Sequence, residues 1–254
     1  MPKTLAPLVL LGILVVATHV ASARTAGTLR LSHAVFTGRV NQVDCLPGTA
    51  DSTACFQTSG TGVLPGLGVV SEHYLNYVED PDSSCERWHS TPVLTVRGKG
   101  ELHLSVRPPQ ACVVPTTGVL NASLVFTVTS GSGVYAGASG QGTFLTRGGP
   151  GTTGRNADTL AGNLTVSGLV FDLTPPALSG AVSKTGLAPS QANAVRVTFT
   201  IKARDPGHGP VPVTCKPRSG SRFRLGRTRV VCSATDSSAN TAKARFTITV
   251  KRRR

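Results

Sequence analysis

Acidic residues are scarce in this chain, and aromatic residues are scarce as well. The 254 residues include 12 Asp and Glu against 26 Lys and Arg, with one Trp, three Tyr and one Met. Charged residues make up 15% and hydrophobic residues 39%, a balance that excludes both an acidic disordered chain and a polytopic membrane protein. No helical period of ten or more residues stands out, so nothing points to a helical bundle. The longest apolar run, Leu8 to Val16, has nine residues, too few to span a bilayer. Motifs of catalysis are missing too. There is no G-x-S-x-G elbow, no H-E-x-x-H, no C-x2-C pair and no G-K-[ST]. His33, His73, His89, His103 and His208 are scattered without metal-ligand spacing. No catalytic residue, metal site or cofactor is expected, and the reading leans against an enzyme.

What is present marks an exported β protein. Lys3, the run Leu8–Val16 and the A-x-A triplet Ala21-Ser22-Ala23 form a signal-peptide pattern. Residues 1–23 are therefore expected to be removed, leaving a secreted chain that starts at Arg24 and has no transmembrane segment. Six cysteines, Cys45, Cys55, Cys85, Cys112, Cys215 and Cys232, follow that segment. An even count in an exported chain predicts disulfides. The four in the first half allow three connectivities, of which proximity in sequence favours Cys45 with Cys55 and Cys85 with Cys112. Glycine (28) and proline (17) are abundant, which favours short strands and turns.

Charge divides the chain. Residues 24–172 carry nine Lys/Arg and ten Asp/Glu, whereas 173–254 carry sixteen Lys/Arg and only Asp205 and Asp236. The seam is Asp172-Leu173-Thr174-Pro175-Pro176, where paired prolines resist regular structure. Two domains are expected, 24–171 and 172–254, the second with a basic C-terminus and an anionic partner.

The first domain reads as roughly eight antiparallel strands, a barrel or a sandwich. Val93 to Arg107 alternates on both sides of Gly98-Lys99-Gly100, a hairpin pattern. Ser123 to Thr129 and Asn163 to Phe171 are further strands. The glycine-dense stretch Gly131 to Gly142 reads as a tight β-turn. Around it, F-T-V-T-x-G-x-G-x-Y-x-G-A-x-G-x-G (Phe126 to Gly142) resembles the turn of allene-oxide-cyclase-like and dirigent-like secreted barrels. That resemblance implies a barrel that can hold a small apolar ligand.

The second domain resembles a hyalin-repeat (HYR) module. The residues that carry the resemblance are D-x-T-P-P (Asp172 to Pro176), V-x-V-T-F-T-I-x-A-x-D (Val195 to Asp205), P-V-T-C-x-P-x-S-G-S-x-F (Pro212 to Phe223), L-G-R-T-x-V-x-C-x-A-T-D-S-S-x-N (Leu225 to Asn240) and F-T-I-T-V (Phe246 to Val250). The resemblance implies an immunoglobulin-like β-sandwich and extracellular adhesion. The alternation supports that fold independently. Val195, Val197, Phe199, Ile201 and Ala203 share one face of one strand, and Ala244, Phe246, Ile248 and Val250 share one face of the last. Cys215 and Cys232 both fall on core-facing positions, so a bridge between them is expected. A second cysteine pair frequent in the family is replaced here by Gly180 and Ala244.

The expected binding site is basic: Arg218, Arg222, Arg224, Arg227, Arg229, Lys243 and Arg245. Such a surface suits an anionic extracellular polymer or cell surface; its plain alternative is solvated charge that keeps the domain soluble. Only Phe223 lies among the arginines, which speaks against single-strand stacking and specific nucleic-acid binding. The acidic loop Glu79-Asp80-Pro81-Asp82 with Glu86 misses the EF-hand pattern and reads as solvated. The sequence thus predicts a non-catalytic adhesion protein. The alternative is a barrel that binds or converts an apolar ligand, with the second domain as a tether.

Overall fold

A computed structural model describes residues 27–47, 53–79, 87–108, 120–148 and 154–253. The signal segment, most of the acidic loop, Cys85, Cys112 and Arg254 lie outside the described residues. Strands dominate, in two groups.

The first group comprises β1 (Gly27–Val43), β2 (Thr53–Leu64), β3 (Gly68–Glu79), β4 (Arg87–Ser90), β5 (Val93–Val96), β6 (Gly100–Arg107), β7 (Leu120–Gly131), β8 (Ser139–Gly148) and β9 (Arg155–Val166). Neighbours in sequence pair antiparallel, and β9 returns to β1. β4 and β5 each lie between β3 and β6, so together they fill one position of the sheet. The break between them is Thr91-Pro92. Pro92 has no N–H to give the ladder, and its carbonyl instead accepts the Leu104 N–H at 2.8 Å. The result is a closed eight-position barrel, which leaves no open edge.

Alternation fills the barrel. Val70, Tyr74 and Val78 of β3 point inward, as do Leu102, Leu104 and Val106 of β6, and Leu124, Phe126 and Val128 of β7. All of these except Val78 belong to one buried cluster that also holds Phe36, Tyr135 and Phe144. The Gly98-Lys99-Gly100 hairpin joins β5 to β6, with Leu94 opposite Leu102. Two expectations need correction. The glycine-dense stretch contains a short 3-10 turn, Gly133–Tyr135, rather than a simple β-turn, because Tyr135 turns back into the core and is 1% exposed. The strand expected at Asn163–Phe171 is β9, which starts at Arg155 and ends at Val166. Leu169 and Phe171 pack on the barrel core without joining the ladder.

The second group comprises β10 (Ala177–Ser179), β11 (Lys184–Ala188), β12 (Ala194–Arg196), β13 (Lys202–Asp205), β14 (Gly209–Val211), β15 (Val213–Lys216), β16 (Arg222–Arg224), β17 (Gly226–Thr235) and β18 (Thr241–Arg252). One sheet has the order β11-β18-β17-β15. The opposing layer is formed by β10-β13-β14 and β12-β16. Val197, Phe199, Phe223, Val230, Phe246 and Ile248 form the core between them, and the Phe199 and Phe246 rings meet edge-on with centroids 5.0 Å apart. The fold is all-β, a barrel followed by a sandwich. Cys45 is bonded to Cys55, and Cys215 to Cys232; the expected Cys85–Cys112 pair falls outside the described residues.

The two groups touch. The Gly66 N–H, in the turn between β2 and β3, donates to the Ser238 carbonyl at 2.7 Å. The Asn240 side-chain amide donates to the Asp172 carbonyl at 2.8 Å. Gly68 has φ +100 and a Cβ there would fall 2.5 Å from the Ser237 carbonyl oxygen, so only glycine lets the chains approach this closely.

Candidate functional site

The outer face of the four-stranded sheet carries the basic charge. Along β17 and β18 the inward residues are Val230, Cys232, Phe246, Ile248 and Val250, all buried. Strict alternation therefore sends Arg227, Arg229, Lys243, Arg245 and Lys251 outward. Register then aligns them. Lys216, Val231 and Arg245 lie side by side across three strands, as do Thr214, Ser233 and Lys243. Thr214, Lys216, Arg229, Val231, Ser233, Lys243 and Arg245 line an open hollow of about 430 Å³. None of its cations has an acidic partner among the described residues. The cause lies in composition, since the module's only acids are Asp172 in its entry linker and the buried Asp205 and Asp236, none of which lines this hollow.

The structure divides the predicted arginine cluster. Arg227, Arg229, Lys243 and Arg245 share this face, joined by Lys216, which the predicted set lacked. Arg222 and Arg224 lie on β16, paired with β12 in the opposite layer. Arg218 sits in the turn before β16, at a second hollow of about 480 Å³ that also involves Phe199, Ile201 and Cys215. Closeness in sequence misled here because the chain crosses from one layer to the other between Lys216 and Gly226.

A second constellation, absent from the sequence reading, lies inside the barrel. Glu72 and Asp158 are 2% and 0% exposed. The Tyr74 hydroxyl donates a short hydrogen bond to Asp158 Oδ2, and the Asn156 amide donates to the same oxygen at 2.6 Å. Asn76 donates to Thr58 Oγ1 at 3.0 Å and accepts from Ser90. Both Glu72 oxygens and Asp158 Oδ1 are buried without a donor. Burial and the neighbouring Asp158 push the Glu72 carboxyl up to about 9. Burial likewise raises Asp158, and burial next to Asp158 raises Tyr74 well above the usual phenol value. Gly60 lies opposite Glu72, and a Cβ there would fall 2.5 Å from Glu72 Oε1. The signal was visible in the alternation Val70, Glu72, Tyr74, Asn76, Val78, a mixed stripe on an inward face.

Of the acidic loop, only Glu79 lies among the described residues, beside β4. Glu79 pairs with Arg87 at 2.7 Å and lies 3.4 Å from His89. Trp88 stacks on Phe56, centroids 6.3 Å apart.

A family model described as HYR domain matches residues 171–250, that is, the sandwich together with its D-x-T-P-P entry. No curated protein matches the chain. Among the described residues no helix is long and apolar enough to cross a membrane.

Proposed function

We propose that the chain is an exported, non-catalytic binding protein. Its HYR module holds an anionic extracellular polymer or cell surface against the outer face of the sheet β11-β18-β17-β15. The observation that carries this reading is the set Lys216, Arg229, Lys243 and Arg245 around one hollow, with no carboxylate among the described residues to neutralise it. Cations fixed on strands of a bridged sheet concentrate positive potential with little entropy to lose on binding. An HYR module and disulfide bonds are both typical of extracellular proteins, which fits the export pattern at the N-terminus. The barrel then serves as a scaffold. Phe36, Tyr74, Phe126, Tyr135 and Phe144 supply its bulk, and Glu72 and Asp158 make its interior a poor match for a purely apolar ligand.

The test is retention of the full chain on immobilised heparin. Retention at low salt, with release as salt screens the charges, is the expected result. Flow-through in low salt would refute the reading.

A further inference from the structure

Asp172, Asp205 and His208 converge where the chain passes from barrel to sandwich. Asp172 lies in the linker before β10, Asp205 ends β13, and His208 sits in the turn to β14. One donor atom from each lies within 4.8 Å of the others. The Asp205 side chain is 0% exposed, Asp172 26% and His208 38%.

The hydrogen bonding at this point is lopsided. Asp205 Oδ1 accepts the backbone N–H groups of Gly207 at 2.8 Å and His208 at 2.7 Å, and lies 3.0 Å from His208 Nδ1. Asp205 Oδ2 is buried with no donor at all, and Asp172 Oδ2 likewise lacks a hydrogen bond although His208 Nδ1 is 3.3 Å away. A single ring nitrogen cannot serve both carboxylates. An orphan oxygen on a fully buried carboxylate is costly, and a bound cation removes that cost.

We propose that Asp172, Asp205 and His208 form a binding site for a divalent first-row transition ion of the Zn²⁺ class. Two carboxylates and one imidazole are a ligand set that zinc accepts. Calcium takes oxygen ligands, and the imidazole makes it the poorer match. The ion ties the linker to the end of β13. Through the Asn240 amide on the Asp172 carbonyl it also reinforces the loop that contacts the barrel at Gly66.

The experiment titrates Zn²⁺ into the full, untagged, chelator-washed chain by calorimetry, alongside His208→Gln and Asp172→Asn. One ion per chain is expected, with at least a tenfold loss of affinity in each variant. Zinc is expected to raise the Tm of the parent chain and leave the variants unmoved. Because a variant may be misfolded, ¹⁵N shifts of the His208 ring on adding Zn²⁺ to the parent provide a check that needs no substitution. No binding, unchanged affinity in both variants, an unmoved His208 ring, or calcium binding in preference to zinc would each overturn the proposal.

Discussion

Glu72 points into the barrel because β3 alternates, and the flanking Val70 and Tyr74 leave it no other direction. Its burial has a measurable consequence. The carboxyl is held near 9 in the folded protein against about 4.5 in the open chain. A raised acid favours the fold while the unfolded chain is also protonated, below about pH 4.5. That advantage is lost as pH rises through the window up to about 9, by as much as about 1.4 kcal/mol per pH unit. Glu72→Gln keeps the shape and removes the titration. The variant is expected to be more stable than the parent at pH 8, with the difference shrinking towards pH 5, as read by urea unfolding at both. Equal stability at both pH values would contradict the buried, protonated state. Residue type alone did not show this, because Glu72 lies between Ser71 and His73 in the chain and reads as a surface position. Only the inward stripe, followed from Val70 to Val78 and closed into a barrel, turns it into a core group.

At the scale of elements, alternation in the sequence carries further than continuity does. The stretch Val195 to Asp205 keeps its alternation throughout, with Val197, Phe199 and Ala203 buried and Arg196, Thr198, Thr200, Lys202 and Arg204 exposed. It is nonetheless two strands, not one. Its first part pairs with β16 and its second with β10 and β14. Between them the Ser219 hydroxyl accepts the Phe199 N–H at 2.9 Å and donates to the Phe199 carbonyl at 2.6 Å, replacing ladder bonds. Pairing partners are long-range facts, so the switch was invisible in the local pattern. The Cys215–Cys232 bridge was legible for the same reason the core was, since both residues follow the inward rhythm; in the structure they stand directly opposite each other on β15 and β17. The bond closes a separation of 17 residues, worth on the order of 3 kcal/mol in the chain-entropy model. Replacing both cysteines with serine is expected to remove about that much stability, and somewhat more from burying hydroxyls at Cys232, which is 0% exposed. Denaturant melts of the double variant check this; an unchanged midpoint would show that the bridge does not constrain the module.

For the whole molecule, charge is sorted by location. Asp205 and Asp236 are buried at the end of the sandwich that meets the linker and the barrel, where Asp236 accepts the N–H groups of Ser238 and Asn240 at 2.9 Å each. The cations point outward from the outer sheet and from the opposite layer. The charge imbalance of the two halves was plain in the sequence, and so was the seam at Asp172–Pro176. Which cations share a face was not, because that depends on register across β15, β17 and β18. The account stands on that face. Its most direct test compares two full-length variants that each lose four positive charges, in affinity for a heparin oligosaccharide at about 0.15 M salt. One carries Lys216→Ser, Arg229→Ser, Lys243→Ser and Arg245→Ser; the other carries Lys202→Ser, Arg204→Ser, Arg222→Ser and Arg224→Ser on the opposite layer. The account predicts a loss of about tenfold or more for the first and about threefold or less for the second. Equal losses would mean that net charge, not this sheet face, holds the partner, and would contradict it.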